Sequence, residues 1–178
     1  MRIAALACLV AVAGTPACGG GGEDAITIYL PARLGPEGPP GQIAPVLTPV
    51  ERDRRGGMSA AWQSVLELRV GPSPDERARG FREGLAAATR LQKIRVENGI
   101  ATVDFAGEEP TLMASAAAVY TLTELPNITA VSLRLDGEPC CFRFHDGRPV
   151  PVTARTHLRG WTGQPCALRA GDDVRCRN

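Results

Sequence analysis

The chain has 178 residues, enough for one domain and a tail but tight for two domains with separate cores. Its 20 Lys and Arg balance 19 Asp and Glu, so it lacks the basic excess that grips phosphates, and nucleic acid is not an expected partner. Hydrophobic residues make up 44% but aromatics only 4%, which points to a core of Ala, Val, Leu and Ile, punctuated by 20 Gly and 15 Pro in loops.

Residues 3–13 form an unbroken apolar run behind Arg2, followed by Gly14-Thr15-Pro16-Ala17-Cys18, the layout of a secretory signal. The run is too short for a permanent span, which needs about 20 apolar residues, so residues 1–17 are expected to be removed. Small Ala17 before Cys18, then Gly19 to Gly22, Glu23 and Asp24, resembles a bacterial lipobox with a flexible tether over residues 18–24. Thr15 departs from it, standing where the pattern prefers Leu. The resemblance implies acylation of the Cys18 thiol and stable anchoring to a membrane on the extracytoplasmic side of the cell envelope. Loss of Arg2 leaves 19 basic and 19 acidic side chains, so anionic lipid adds little to that anchor.

Ala25 to Leu30 alternates with β-branched and aromatic residues and predicts a first strand. Gly35 to Gly41 is a Gly-Pro loop, and Ile43 to Arg52 reads as a second extended segment whose Pro45 and Pro49 suit a sheet edge. Met58 to Val70 carries Met58, Trp62, Val65, Leu66 and Arg69 at helical spacing with Ser59 as a cap, which predicts an amphipathic helix ended by Gly71-Pro72. Asp75 to Leu85 suits a short surface helix or irregular turn. Residues 91–105 place two alternating arms around Asn98-Gly99, the signature of a two-residue hairpin turn. In that register Ile94, Val96, Ala101 and Val103 share the core face, and Lys93, Arg95, Thr102 and Asp104 the wet one.

Thr111 to Glu124 predicts a second helix with Leu112, Ala116, Val119 and Thr123 on one stripe and Met113, Ala117 and Tyr120 beside it. Thr129 to Leu135 predicts another strand, and Cys141 to Phe144 with Val150 to Thr153 a last hairpin around Asp146-Gly147. The sum is an α+β domain over residues 25–153, a small mostly antiparallel sheet with two main helices packed on it. Residues 154–178 form a disulfide-pinned C-terminal tail.

With Cys8 in the signal and Cys18 acylated, Cys140, Cys141, Cys166 and Cys176 remain, an even number that reads as two disulfides in an oxidising compartment. A bond between Cys140 and Cys141 themselves is disfavoured as strained. Either each of the pair reaches one tail cysteine, or Cys166 and Cys176 close their own loop. Four thiolates suit zinc in number, but adjacent residues on an extended strand point to opposite faces, so no metal is expected. His145 and His157 sit in loop-like surroundings and read as solvated side chains.

Five blocks in order carry a resemblance: Ile26-Thr27-Ile28-Tyr29-Leu30, Val46 to Arg52, Leu68 to Pro74, Gly99 to Phe105 and Val119 to Ile128. Over roughly residues 25–150 the chain resembles the GerMN domain, the sporulation and spore-germination family of bacterial envelope lipoproteins. The resemblance implies an α+β domain in an exported protein without enzymatic chemistry, acting in binding or scaffolding, with a link to sporulation or germination. One copy is visible where the founding spore protein carries two, and the Cys-containing tail is not part of the family pattern.

No nucleophile elbow, P-loop, His-Glu-x-x-His or Gly-x-Gly-x-x-Gly is present, so neither an enzyme nor a cofactor is expected. Glu108 and Glu109 with Asp104 are the one carboxylate grouping that would suit glycan hydrolysis; the alternative is solvated charge ahead of a helix. Trp161 with Arg155 and Arg159 is the candidate contact for sugar or peptide, unless Trp161 is the plug that seats the tail. Expected partners are the membrane through the lipid and an envelope protein or peptidoglycan. The competing reading is a hydrolase of envelope glycan.

Overall fold

The structure, a computed structural model, describes residues 25–32, 46–143 and 148–158, together with the strand backbone of 166–168 and 174–176. The expected signal, Cys18 with its tether, Trp161 and Arg159 lie outside these residues.

Strand β1 (Ala25–Ala32) pairs antiparallel with β2 (Val46–Asp53), Ile28 opposite Val50. Alternation drives Ile26, Ile28 and Leu30 into the core, while β2 buries Leu47 and exposes Pro49. Proline has no backbone N–H to donate, which suits an edge strand, and β2 pairs with β1 alone.

Helix α1 (Ala60–Val70) begins at Ser59, whose hydroxyl accepts from the Trp62 amide at 3.2 Å, and stops at Gly71, where φ is 75°. Its buried face is Ala61, Gln63, Ser64, Val65, Glu67 and Leu68, rotated away from the expected stripe. Trp62 and Leu66 are half-buried and Arg69 is exposed. Polar Gln63 tolerates burial because both ends of its amide are used: Oε1 accepts from the Arg55 amide at 2.8 Å and Nε2 donates to the Asp53 carbonyl at 2.7 Å. The charged stretch that follows contains α2 (Pro74–Ala78), opened by a Ser73/Glu76 capping box.

Strands β3 (Thr89–Glu97) and β4 (Ile100–Gly107) form the expected hairpin, with Asn98 at φ 50° and Gly99 at φ 78°. Ile94 faces Val103 and Val96 faces Ala101, the register that the alternation requires, with a bulge between Leu91 and Lys93. Helix α3 (Leu112–Leu122), capped by Thr111, then carries the chain over to β5 (Ala130–Leu135), which lies parallel to β4. A short β6 (Glu138–Pro139) completes a four-stranded sheet of order β3-β4-β5-β6. The class is α+β, and every pair among these six strands except β4–β5 is antiparallel, the six dividing between this sheet and the β1–β2 pair.

Helix α3 is enclosed rather than amphipathic: Ala114 to Leu122 are all buried, and Leu112, placed on a core stripe by its spacing, is 46% exposed. Its small residues fit it among β1, α1 and β5. The β1 edge is closed by this helix, since the Tyr29 amide donates to the Thr121 hydroxyl at 2.9 Å. One apolar cluster joins Ile28 and Leu30, Val65 and Leu68, Val103 and Phe105, Val119 and Leu122, and Val131 and Leu133. Beyond β6 the turn of the expected last hairpin, Asp146-Gly147, lies outside the described residues; among them Arg143 bridges to Pro149 and Thr153 pairs back to Val131. A 3-10 turn (Arg155–Leu158) follows, and β7 (Cys166–Leu168) pairs antiparallel with β8 (Val174–Cys176), Cys166 opposite Cys176.

Candidate functional site

Because α1 and α3 occupy one face of the four-stranded sheet, the side chains of opposite parity are left facing outward. Two cross-strand rows result, Lys93–Asp104–Arg134 and Arg95–Thr102–Ser132, of which Ser132 is buried. With Glu97 most of these line a shallow open depression of about 210 Å³. Asp104 is fixed by the Gly137 amide, which donates to its Oδ1 at 3.0 Å, and Arg134 Nη1 donates to the Gly137 carbonyl at 3.0 Å. Arg95 and Glu97 pair along β3 at 3.3 Å. Arg134 Nε is buried without a hydrogen-bond partner in the protein. Three cations against two carboxylates, with the Thr102 hydroxyl between, make a surface suited to mixed polar groups, anionic ones preferentially.

Arg155, an expected contact residue, is brought to the end of α3, with 35% of its side chain exposed. Its Nη2 donates to the Tyr120 carbonyl and to Glu124 Oε1, both at 2.6 Å, and its guanidinium lies 5.3 Å from the Tyr29 ring and 5.0 Å from the Tyr120 ring. Tyr29 and Tyr120 in turn pack 5.3 Å apart, and the Tyr120 hydroxyl donates to the Leu158 carbonyl at 2.8 Å. The arrangement is a clasp: a cation at a helix C-terminus ties the segment after residue 154 to the domain. Burial, then the hydrogen bond to Glu124, pushes the Tyr29 phenol up to about 12. Burial also opposes ionisation of Glu124, but hydrogen bonds from Tyr29 and Arg155 and the Arg155 charge outweigh it and hold that carboxyl below its usual range. Nothing in the spacing of Tyr29, Glu124 and Arg155 announced this meeting of three distant segments.

The cysteines differ from expectation. Cys140 and Cys141 are joined to each other, which overturns the reading that each reaches a tail cysteine. The sequence disfavours that bond as strained, but Cys141 takes φ 79°, which turns its thiol to the side of its neighbour's. The alternative in which Cys166 and Cys176 close their own loop keeps its backbone basis in the β7–β8 register. Glu109 reaches this corner too, its Oε1 accepting from the Cys141 amide at 3.1 Å. Of the three carboxylates considered for glycan hydrolysis, two have backbone partners of their own: Asp104 accepts from the Gly137 amide on the sheet face, and Glu109 from the Cys141 amide.

A second charged assembly, also unread in the sequence, binds β2 to both early helices. Arg52 meets Glu76 in a two-pronged pair at 2.8 and 2.7 Å, and Glu67 takes Arg55 at 2.8 Å and Arg52 at 3.8 Å. The Arg52 guanidinium, with further help from the Ser73 amide, holds the Glu76 carboxyl down at about 2. Glu67 and Glu76 are buried, so this assembly is internal architecture rather than a surface for partners.

A helix-backed mixed sheet with one open polar face defines a small α+β module. The chain belongs to the Germane family, described as sporulation and spore germination, which matches residues 27–141. Among solved structures it is similar to the tandem GerMN domains of the sporulation protein GerM from Bacillus subtilis, with 20% identity and a TM-score of 0.58 over 79% of this chain. It spans about half of that protein, 48% of its length. The first GerMN domain of the same protein is similar at 22% identity and a TM-score of 0.50, covering 74% of this chain and 97% of that one. At such identities the likeness establishes the fold. No curated protein matches the chain.

Proposed function

We propose that this chain is an envelope lipoprotein, held to its membrane through Cys18, whose GerMN-type domain is a non-catalytic module that binds an envelope protein or peptidoglycan in sporulation or germination. The observation that carries the binding role is the open sheet face of Lys93, Arg95, Thr102, Asp104 and Arg134, polar on a domain whose other sheet face is filled by helices. Family membership supports the process, and the Ala17-Cys18 junction after an apolar leader supports the anchor. No helix among the described residues is long and apolar enough to cross a membrane.

Two measurements test it. Labelling with a radioactive fatty acid should mark the protein and fail with Cys18→Ala; label retained by that variant sinks the anchor. A pull-down from solubilised envelope should retain a partner that Lys93→Glu/Arg95→Glu loses without a change in thermal midpoint. Release of soluble muropeptides by the purified chain would instead support the hydrolase reading.

A further inference from the structure

The corner where β6 ends gathers three side chains with metal-ligating atoms. Cys140 and Cys141 follow β6 directly, and the left-handed backbone at Cys141 sets both sulfurs on one side of the chain. Glu109 arrives from the loop between β4 and α3, anchored by the Cys141 amide. One Glu109 oxygen and the two sulfurs all lie within 4.8 Å of one another. Donors around one tetrahedral zinc, at about 2.3 Å for sulfur and about 2.0 Å for oxygen, stand roughly 3.5–3.8 Å apart, so once the S–S bond is broken the two sulfurs part and the exposed Glu109 side chain closes in to complete the set. Cys140 is buried and Cys141 half-buried, which shields the pair on one side and leaves an approach on the other.

We propose that the Cys140–Cys141 bond and Glu109 form a redox-gated site for one thiophilic divalent cation such as zinc, closed when the sulfurs are joined and able to bind when they are reduced. In the opening step a dithiol reductant gives two electrons and two protons to the S–S bond, yielding thiols on Cys140 and Cys141 and a disulfide on the reductant. In the binding step the cation displaces the two thiol protons to solvent, and the two thiolates with the Glu109 carboxylate occupy three positions, a water the fourth. The resulting site carries one net negative charge, and Arg143, whose Nη2 lies 3.8 Å from Glu109 Oε1, offsets it. The geometric objection to adjacent thiols holds for an extended strand and lapses at a residue with φ 79°.

The test uses the full chain with Cys8, Cys18, Cys166 and Cys176 replaced by Ser, so that Cys140 and Cys141 are its only sulfur pair. It is reduced with a phosphine, cleared of reductant, and titrated with Zn2+ against a chromophoric chelator. The expected result is one Zn2+ per reduced chain, none per oxidised chain, and a weakening on the order of tenfold or more with Glu109→Gln, as for loss of a group that orients a metal. Glu108→Gln should leave binding unchanged. Glu109→Gln alters an exposed side chain, so its far-UV circular dichroism should match the parent's and exclude misfolding. Absence of Zn2+ binding by the reduced chain, equal binding by the oxidised chain, or an affinity indifferent to Glu109→Gln overturns the proposal.

Discussion

Replacing Arg52 by Met removes a charge while keeping most of the aliphatic stem, and it isolates what the internal charged assembly does. Glu76 would lose both guanidinium contacts, at 2.8 and 2.7 Å, and keep only the Ser73 amide at 2.7 Å. Glu67 would keep Arg55. Removing one partner of a buried pair costs roughly 3–5 kcal/mol, because a desolvated charge is left behind. Arg52 is 18% exposed at its side chain and Ser73 stays in place, which argues for the lower end, about 3 kcal/mol. For a domain of this size that corresponds to a fall in thermal midpoint of about 10 °C. Urea unfolding of Arg52→Met at pH 7 measures it, and Arg52→Met/Glu76→Gln should recover part of the loss, since the orphaned charge is then gone. The pH dependence has a definite sign. The folded Glu76 carboxyl is depressed to about 2 from an ordinary 4.5, so its stabilisation is present above about 4.5 and is lost as pH falls towards 2. The gap between parent and Arg52→Met should therefore shrink across that window. Equal stability at pH 7, or a gap that widens on acidification, refutes the reasoning.

Other outcomes follow from particular positions. Gly107, at φ 88°, has the Ala88 carbonyl oxygen where a Cβ would stand, so Gly107→Ala should cost about 2–3 kcal/mol. Gly137, at φ 85° with open space around it, should cost only about 1 kcal/mol on the same change, and equal losses in chemical unfolding would remove the clash from the explanation. In Tyr120→Phe the remaining tyrosine, Tyr29, should titrate by ultraviolet absorbance near 12; its stabilisation is complete below an ordinary 10 and declines as pH rises from there towards 12, and a midpoint at 10 would contradict its burial against Glu124. Arg155→Ala should loosen the 3-10 turn by about 1 kcal/mol, allowing for the partial exposure of the side chain, and hydrogen exchange at residues 153–158 should rise while β4 stays protected.

Much of the fold was legible where local chemistry and tertiary structure agree. Asn98-Gly99 supplies two positive φ angles, and the hairpin register follows from it as far as Lys93, where a bulge intervenes. Ser59 and Thr111 stand at the caps that their hydroxyls suit. Parallel pairing of β4 with β5 was not legible, because alternation reports which face a residue takes and not which neighbour its strand chooses. The face of α1 was misread because Gln63 and Glu67 are polar, and burial of polar groups depends on partners from β2 and the segment just after it. The polar sheet face was half visible: Lys93, Arg95, Thr102 and Asp104 were assigned together, and Arg134 joins them only through the parallel register. The cysteine corner stayed hidden because one residue's backbone, φ 79° at Cys141, decides it.

The central claim, a binding module working through the open face of the β3–β4–β5 sheet, is tested most directly by placing a photo-crosslinking residue at Thr102 in living cells. Probes at Val70 and Leu112, both exposed and away from that face, serve as comparison. The account predicts a discrete crosslinked envelope species from Thr102 and none from the other two. Crosslinks from Val70 or Leu112 with none from Thr102 would contradict it.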